Sequence, residues 1–125
     1  MTSAIVAEAT LLPQILQVRA AVEPQRRAYV FLGERGDEQQ VLSYGELHQR
    51  ALAAAAELAV RCSPGDRALL LFPPGLDFVV AFFACLYAGL VAVPVNPPRH
   101  GRLAAATHSI AGDCQPAAVL SPRAL

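Results

Sequence analysis

The stretch from Ala68 to Arg99 constrains the fold of this chain more than any other. It reads ALLLFPPGLDFVVAFFACLYAGLVAVPVNPPR, in which two short apolar runs flank a longer one. Ala68–Phe72 and Leu90–Val95 have the length and composition of strands that are covered on both faces. Leu76–Ala88 is too long for one strand, and a glycine stands at each end of it. The pattern predicts a strand, a crossover helix and a second, parallel strand, with the usual right-handed connection.

The helix predicted over 76–88 has no polar face. Asp77 suits its first turn, because a carboxylate complements the positive end of the helix dipole, but the residues that follow are apolar all round. One side of such a helix can lie on the sheet, and the other side also needs cover. We therefore expect this chain to be part of something larger, or to associate through an exposed apolar surface as a homodimer.

Composition limits the chain to one domain and excludes several partners. Of the 125 residues, 54% are hydrophobic and 16% are charged, with no net charge, whereas a typical soluble domain has about 25% charged residues. The balanced charge argues against binding to nucleic acid. Gly89 and Pro94 interrupt the uncharged stretch 78–95, so we expect no membrane span. The N-terminus lacks the basic region of a signal peptide, which indicates a cytoplasmic protein.

The remaining sequence predicts a helix and a hairpin at the start of the chain. Residues 1–10 have no period and are expected to be loose. Leu11–Val22 has the pattern of a short amphipathic helix, and the apolar runs Ala28–Leu32 and Gln39–Leu42 flank a polar turn. Leu42 is followed by a second helix, which ends at about Cys62.

The start and end of that second helix are well marked. Ser43 and Glu46 form an S-x-x-E capping box, in which each side chain satisfies a free backbone N–H. The sequence Ser63–Asp66 has Pro and then Gly at its centre, the composition of a type II turn. Farther along, we predict a helix over 102–111, ended by Gly112, and a third strand over 117–120. The whole order predicts an α/β fold, a three-layer sandwich with a parallel βαβαβ core plus an N-terminal helix and hairpin.

Four sequence motifs, in this order along the chain, resemble a known family. They are YVFL near the start, LSYGEL from Leu42, PPGLDF…FFACLYAG…VPV…PPR in the middle, and QPAAVL from Gln115. Together they resemble the N-terminal subdomain of the acyl-adenylate-forming superfamily, most closely that of the fatty-acyl-AMP ligases. Asn96 stands where that branch often has an aromatic residue, which keeps acyl-CoA synthetases and peptide-synthetase adenylation domains open as alternatives.

The resemblance implies an enzyme that activates a fatty acid with ATP and Mg²⁺ to give acyl-AMP and pyrophosphate. It implies transfer of the acyl group to an acyl carrier protein, in lipid, polyketide or lipopeptide biosynthesis. The remainder of the adenylating enzyme, the fatty acid and the carrier protein are the partners so implied. Residues 11–125 would be the N-terminal α/β subdomain, an incomplete portion of the adenylating-enzyme N-terminal domain.

The chain lacks the loop that such chemistry requires. ATP phosphates call for a Gly/Ser/Thr-rich loop with a lysine, whereas the only close pair of glycines, Gly33 and Gly36, lies in an acidic turn without lysine. We therefore expect this polypeptide to bind no cofactor and to catalyse no adenylation by itself. Two other functions stay open, a non-catalytic dimeric module that binds a carrier protein or a synthase, and a small flavodoxin-like nucleotide binder.

Two groups of residues are candidate binding sites, and we assign no catalytic residue. The loop Asn96-Pro97-Pro98-Arg99 leaves the carboxyl end of a parallel strand, where ligands bind in open α/β sheets, and Arg99 suits a phosphate or the surface of a carrier protein. A rigid connection with a solvated arginine is the alternative. The second group is a set of aromatic residues that could line an acyl tunnel, with plain core as the alternative: Phe78, Phe82 and Phe83.

Other residues of chemical interest have simpler explanations. Asp77 is explained by its place at a helix start, and Ser43 by its capping box. The histidines have no partner at the spacing of a nucleophile or metal site, and we interpret them as surface or helix-face residues: His48, His100 and His108. The cysteines are far apart and form no metal motif, so we interpret them as buried reduced thiols: Cys62, Cys85 and Cys114.

Overall fold

A computed structural model of the chain describes residues 11–95, 112–113 and 115–122. In this part the helices are α1 (Leu12–Val22), α2 (Tyr44–Arg61) and α3 (Leu76–Tyr87), and the strands are β1 (Arg27–Leu32), β2 (Glu38–Ser43), β3 (Arg67–Leu71), β4 (Val91–Val95) and β5 (Ala118–Leu120). The loose N-terminus predicted for residues 1–10, the candidate loop 96–99 and the helix predicted over 102–111 lie outside the described residues. Gly112 and Asp113 are helical, so the helix end predicted at Gly112 is wrong.

The parallel sheet has β3 at its centre. Its order is β4-β3-β5, and Leu70 of β3 is in register with Pro94 of β4 and with Leu120 of β5. Ala68 and Leu70 face α2 and α3, whereas Leu69 points to the other face and is also only 3% exposed. Burial on both faces explains why β3 reads as a continuous apolar run rather than as an alternating one.

The predicted helix cap and turns are present. The Glu46 N–H donates to Ser43 Oγ and the Ser43 N–H donates to Glu46 Oε1, each at 3.2 Å, which confirms the capping box of α2. The Asp66 N–H donates to the Ser63 carbonyl at 3.0 Å and Gly65 has a φ of 89°, as a type II turn requires. The capping box starts α2, and the turn after its end leads the chain into β3.

Gly89 ends α3 in the way the sequence predicts. Its φ of 76° lies in the left-handed region, and its N–H donates to the Leu86 carbonyl at 3.2 Å. The Leu90 N–H donates to the Cys85 carbonyl at 2.8 Å. The two bonds form a Schellman motif, which satisfies the last carbonyls of the helix and turns the chain towards β4.

The helix α3 is covered on both sides by the chain itself. The first core lies between the sheet, α2 and α3, and its buried members are Leu58, Ala68, Leu70, Ala81, Ala84, Cys85 and Leu90. The second core lies between α1, the hairpin, α2 and α3, and its buried members are Leu16, Leu42, Leu47, Ala51, Leu76 and Phe83. The chain itself thus supplies much of the cover that α3 needs, through α1, α2 and the hairpin, while Phe78, Val79 and Phe82 stay half-buried.

The α/β fold with a parallel core is confirmed. In the described part of the chain its layers are the sheet, the pair α2 and α3, and α1 together with the antiparallel hairpin of β1 and β2. The large apolar residues that remain exposed lie outside α3, for example Val41 in the hairpin and Val91 and Val119 in the sheet. The homodimer through an exposed apolar surface stays a prediction. None of the helices described is long and apolar enough to span a bilayer.

Candidate functional site

The middle of α3 carries a group of three aromatic side chains, each in contact with at least one of the others. Phe78 and Phe82, one helical turn apart, stack with ring centroids 6.1 Å apart and an interplanar angle of 25°. Phe82 meets Phe83 edge to face, at 5.9 Å and 86°. Such arrangements are the favourable ones for aromatic pairs, so the three rings support one another's orientation.

A cleft opens over these rings at the surface of the protein. Its volume is about 260 Å³ and, in the described part of the chain, its lining consists of Leu12, Tyr29, Phe78, Val79, Phe82 and Phe83. We call it the aromatic cleft. Leu12 is 48% exposed and Tyr29 is 41% exposed, so the cleft is open to solvent along α1 and β1. The Tyr29 hydroxyl is the one polar side-chain group among these six residues.

The aromatic cleft can bind an apolar ligand, and apart from the Tyr29 hydroxyl its lining offers no acid, base or nucleophile. An apolar cavity with few polar groups favours a hydrocarbon chain or another apolar body. Phe83 is only 5% exposed and belongs to the second core, so it supports the floor of the cleft, whereas Phe78 and Phe82 are half-buried. Of the predicted aromatic residues, Phe83 thus belongs to the core, while Phe78 and Phe82 mainly line the cleft. Their role in an acyl tunnel stays a prediction.

Two lining residues, Leu12 and Tyr29, were not predicted from the sequence. Leu12 begins α1 and Tyr29 lies in β1, both far along the chain from α3. The pairing of β1 with β2 shifts register between Arg27 and Tyr29, so simple alternation does not predict the direction of the tyrosine side chain. No local signal sets them apart, since Val22 of α1 and Val30 and Leu32 of β1 are also large, apolar and exposed.

A larger polar groove runs along the start of α2. It has a volume of about 520 Å³ and is lined by Ala20, Pro24, Gln25, Ser43, Gly45, Glu46, His48, Gln49 and Arg50. The hydrogen bonds from Ser43 stabilise the ionised carboxylate of Glu46 and lower its pKa. Since the side chains of Ser43 and Glu46 already satisfy the helix start, the groove is better explained by the capping of α2 than by a ligand.

The other predicted interpretations can be placed on the structure. His48 is on a helix face, where its Nδ1 lies 2.9 Å from the Tyr87 hydroxyl. Asp77 is exposed in the first turn of α3, which agrees with its interpretation as a helix-start residue. His100, His108 and the loop 96–99 lie outside the described residues. Within the residues that the structure describes, no three His, Cys, Asp or Glu side chains come together as a metal site would require.

Comparison with known proteins shows close relatives along most of the chain. Residues 16–125 match the family model described as AMP-binding enzyme. The medium-chain-fatty-acid–[acyl-carrier-protein] ligase JamA of Moorena producens is 46% identical over 96 residues, which cover 77% of this chain and 16% of the relative. The putative fatty-acid–CoA ligase fadD25 of Mycobacterium tuberculosis is 42% identical over 113 residues, which cover 88% of this chain and 19% of the relative.

The fold also matches a solved structure over nearly the whole chain. The fatty acyl-adenylate ligase from L. pneumophila, crystallised with acyl adenylate and pyrophosphate, is 37% identical and superposes with a TM-score of 0.88. The match covers 95% of this chain and 21% of that one. The chain thus spans about a fifth of the length of each of these relatives, and in the fatty-acyl-AMP ligases it corresponds to the N-terminal region.

Proposed function

Because this chain belongs to the AMP-binding enzyme family, we propose that residues 11–125 act as the N-terminal α/β subdomain of a ligase that activates a fatty acid with ATP. The product would be an acyl-AMP, with release of pyrophosphate. The observation that carries the proposal is the match over 95% of the chain, at 37% identity, to a ligase crystallised with acyl adenylate and pyrophosphate. In this role the chain is a structural part of a larger enzyme.

We further propose that the acyl group passes from AMP to an acyl carrier protein in lipid, polyketide or lipopeptide biosynthesis. The name of the JamA relative, which includes the carrier protein, supports this acceptor. Transfer to coenzyme A is the alternative, and the name of the fadD25 relative supports it. The ligase would work in the cytoplasm, with ATP and Mg²⁺ bound by the enzyme as a whole and with the fatty acid, the carrier protein and the rest of the enzyme as partners.

The aromatic cleft is the part of this chain that we propose contacts the fatty acid. Its lining is apolar, it opens at the surface, and its volume of about 260 Å³ suits a segment of hydrocarbon chain rather than a nucleotide. Transfer of a hydrocarbon from water into such a site is favourable, in proportion to the apolar area that is removed from water. Phe78, Phe82 and Phe83 would then form one wall of an acyl site that the rest of the enzyme completes. For the loop Asn96–Arg99 we keep the proposal of a contact to a phosphate or to the carrier protein.

The nucleotide chemistry would come from outside this chain. The sequence of 125 residues contains no lysine, and its ten positively charged side chains are all arginines. Phosphate-binding loops use backbone N–H groups together with a lysine that reaches the phosphates. We therefore propose that the polypeptide alone does not adenylate a fatty acid.

A chimeric enzyme tests the proposed function. The chain replaces the matching N-terminal region of the L. pneumophila ligase, and fatty-acid-dependent exchange of pyrophosphate into ATP is measured. We expect the chimera to retain exchange, while the ligase without this region, and the 125-residue polypeptide alone, give none. A folded, monodisperse chimera without exchange would contradict the proposal, and exchange by the polypeptide alone would show that nucleotide chemistry resides in it.

A further inference from the structure

The connection from β4 to β5 crosses the centre of the parallel sheet. β4 and β5 lie on opposite sides of β3, and both are parallel to it. The chain leaves the carboxyl end of β4 at Val95 and enters β5 at Ala118, at the opposite end of the sheet. The connecting residues 96–117 therefore have to pass over one of the two faces of β3.

The handedness of parallel connections decides which face this is. The step from β3 to β4 goes to one side of β3, and its helix α3 packs on the face that carries Ala68 and Leu70. The step from β4 to β5 goes in the opposite direction. Because nearly all such crossovers are right-handed, two steps in opposite directions place their connections on opposite faces of the sheet. Residues 96–117 therefore belong on the face that carries Leu69.

This second face of the sheet, which we call the outer face, is apolar. It carries Leu69 of β3, Val91 and Val93 of β4, and Val119 of β5, since Leu69 is in register with both Val93 and Val119. Leu69 is only 3% exposed, although it belongs to neither of the two cores formed by the helices and the hairpin in the described part of the chain. Its burial therefore calls for a further element on the outer face.

The exposure of the outer face has the shape of the contact area of one helix. Leu69 in the central strand is buried, whereas Val91 and Val119 in the two edge strands are 49% and 57% exposed. Neighbouring strands are about 4.8 Å apart and a helix is about 10 Å across, so a single helix covers the central strand and leaves the edge strands partly open.

The sequence of the connection suits such a helix. Leu103, Ala106 and Ile110 recur at helical spacing and give the helix predicted over 102–111 one apolar side. His108 falls on the opposite side. A helix of this length spans about 15 Å, close to the roughly 17 Å of a five-residue strand such as β3.

The described residues just before β5 agree with a crossover helix. Gly112 and Asp113 are helical, so a helical turn precedes β5 by only a few residues. The Ala117 N–H then donates to the Arg67 carbonyl at 2.8 Å, which attaches the chain to the first residue of β3. The connection is thus helical near the end of the sheet at which β5 begins.

We propose that residues 102–111 form an amphipathic helix that docks on the outer face of the sheet. Leu103, Ala106 and Ile110 contact Leu69 and Val93, and the polar side of the helix faces solvent. This segment is favoured over a second copy of the chain because β4 and β5 hold it at both ends, which gives it a high effective concentration at this face.

The inference rests on the topology of the sheet and does not depend on the proposed ligase activity. It also limits where partners can bind, since the centre of the outer face is then occupied by the chain itself. Apolar surface for a second copy or for the rest of a larger enzyme remains elsewhere, for example on the hairpin, where Val30, Leu32 and Val41 are exposed.

Methyl NMR on the full chain tests the proposal without a destabilising substitution. The methyl groups of Ile, Leu and Val are labelled with ¹³C, and the variant Ile110→Val identifies the Ile110 signal. We expect nuclear Overhauser effects from the Ile110 methyl groups to those of Leu69 and Val93. We expect none to Leu70 and Leu120, which pack in the first core on the other face.

A sample that mixes labelled with unlabelled chains separates contacts within one molecule from contacts between two. Isotope-filtered spectra of this sample record only the contacts between molecules. If Ile110 contacts Leu69 only in these spectra, a second copy covers the outer face and the proposal is overturned. Contacts from Ile110 to Leu70, or no contact to Leu69 in either sample, would overturn it as well.

Urea unfolding gives an energetic test of the same contact. We expect Ile110→Ala to lower the folding equilibrium constant about 30-fold, as for a buried isoleucine. When Leu69→Ala is already present, the loss should be about fivefold smaller, because residues in contact are coupled. Leu70→Ala is the matched control, since Leu70 is the next residue and faces the first core. An equal effect of Ile110→Ala in both backgrounds would overturn the proposal.

Discussion

His48 Nδ1 and the Tyr87 hydroxyl lie 2.9 Å apart and join α2 to α3 through the one side-chain hydrogen bond described between these helices. The two rings also meet edge to face, with centroids 5.6 Å apart and an interplanar angle of 76°. Most other contacts between the helices are apolar. This directional polar contact adds to that packing at the C-terminal end of α3, where Tyr87 is the last helical residue.

The variant Tyr87→Phe removes this hydrogen bond and keeps the ring. We expect it to lower the free energy of unfolding by about 0.5–1.5 kcal/mol, the usual net contribution of one hydrogen bond. Urea unfolding of Tyr87→Phe, His48→Ala and the double variant measures the coupling of the two residues. If the two single effects add without coupling, the contact contributes nothing to stability.

The stability of the chain should fall at alkaline pH. Burial raises the pKa of Tyr87 from 10.0 to about 12 and that of Cys85 from 9.0 to about 11. For each group the pKa in the folded state is above the unfolded value, so its contribution is complete below the unfolded pKa and is lost as the pH rises through the folded one. Urea unfolding between pH 9 and pH 12 should therefore show a steady fall in the free energy of unfolding. Above pH 10 the free energy of unfolding should fall less for Tyr87→Phe than for the unchanged chain. An equal fall in both would contradict the assignment of the alkaline destabilisation to this tyrosine.

Two leucines of α2 should respond very differently to truncation. Leu47 is 0% exposed in the second core, whereas Leu52 is 48% exposed on the same helix. Leu47→Ala removes buried methyl groups and leaves a cavity, so we expect a loss of about 2–5 kcal/mol. Leu52→Ala, with the same change of side chain, should cost less than about 1 kcal/mol. Thermal or urea unfolding gives both values, and equal losses would mean that the second core is not packed as described.

The features that could be predicted from the sequence are those that depend on neighbouring residues. The capping box of Ser43 and Glu46 and the turn at Gly89 each depend on local backbone geometry, which a few side chains determine. The strand–helix–strand unit was predictable because its apolar runs differ in length. The resemblance to the acyl-adenylate-forming superfamily, visible in several motifs, is confirmed by the comparisons over residues 16–125.

What the sequence did not predict depends on contacts between distant segments. The second side of α3 is covered by Leu16 of α1 and Leu42 of β2, and neither residue differs in its local pattern from an ordinary amphipathic position. Leu12 and Tyr29 complete the aromatic cleft for the same reason.

The capping box of α2 should matter for stability and for its dependence on acid. Ser43→Ala removes the acceptor of the Glu46 N–H, and we expect a loss of about 1 kcal/mol in the free energy of unfolding. The exposed Ser63, outside the first turn of a helix, provides the matched control Ser63→Ala. The pKa of Glu46 is lowered in the folded state, so its contribution to stability is present above its ordinary pKa of 4.5 and is lost as the pH falls through the folded pKa. In urea unfolding at acidic pH, the free energy of unfolding should depend less on pH for Glu46→Gln than for the unchanged chain. An unchanged dependence would assign the acid sensitivity to other carboxylates.

Enlarging the aromatic cleft tests its proposed contact with the fatty acid. The substitution Phe82→Ala is made in the chimeric ligase, where we expect the KM for the fatty acid to rise about tenfold, since a partly buried phenyl ring contributes about 1.4 kcal/mol of apolar contact. The KM for ATP should stay unchanged, because no part of the cleft offers a nucleotide its polar contacts. Phe72→Ala is the matched control, since Phe72 is also half-buried and packs against the first core but does not line the cleft. If both variants change the KM for the fatty acid equally, the effect is one of stability, and the aromatic residues of α3 are core rather than acyl site.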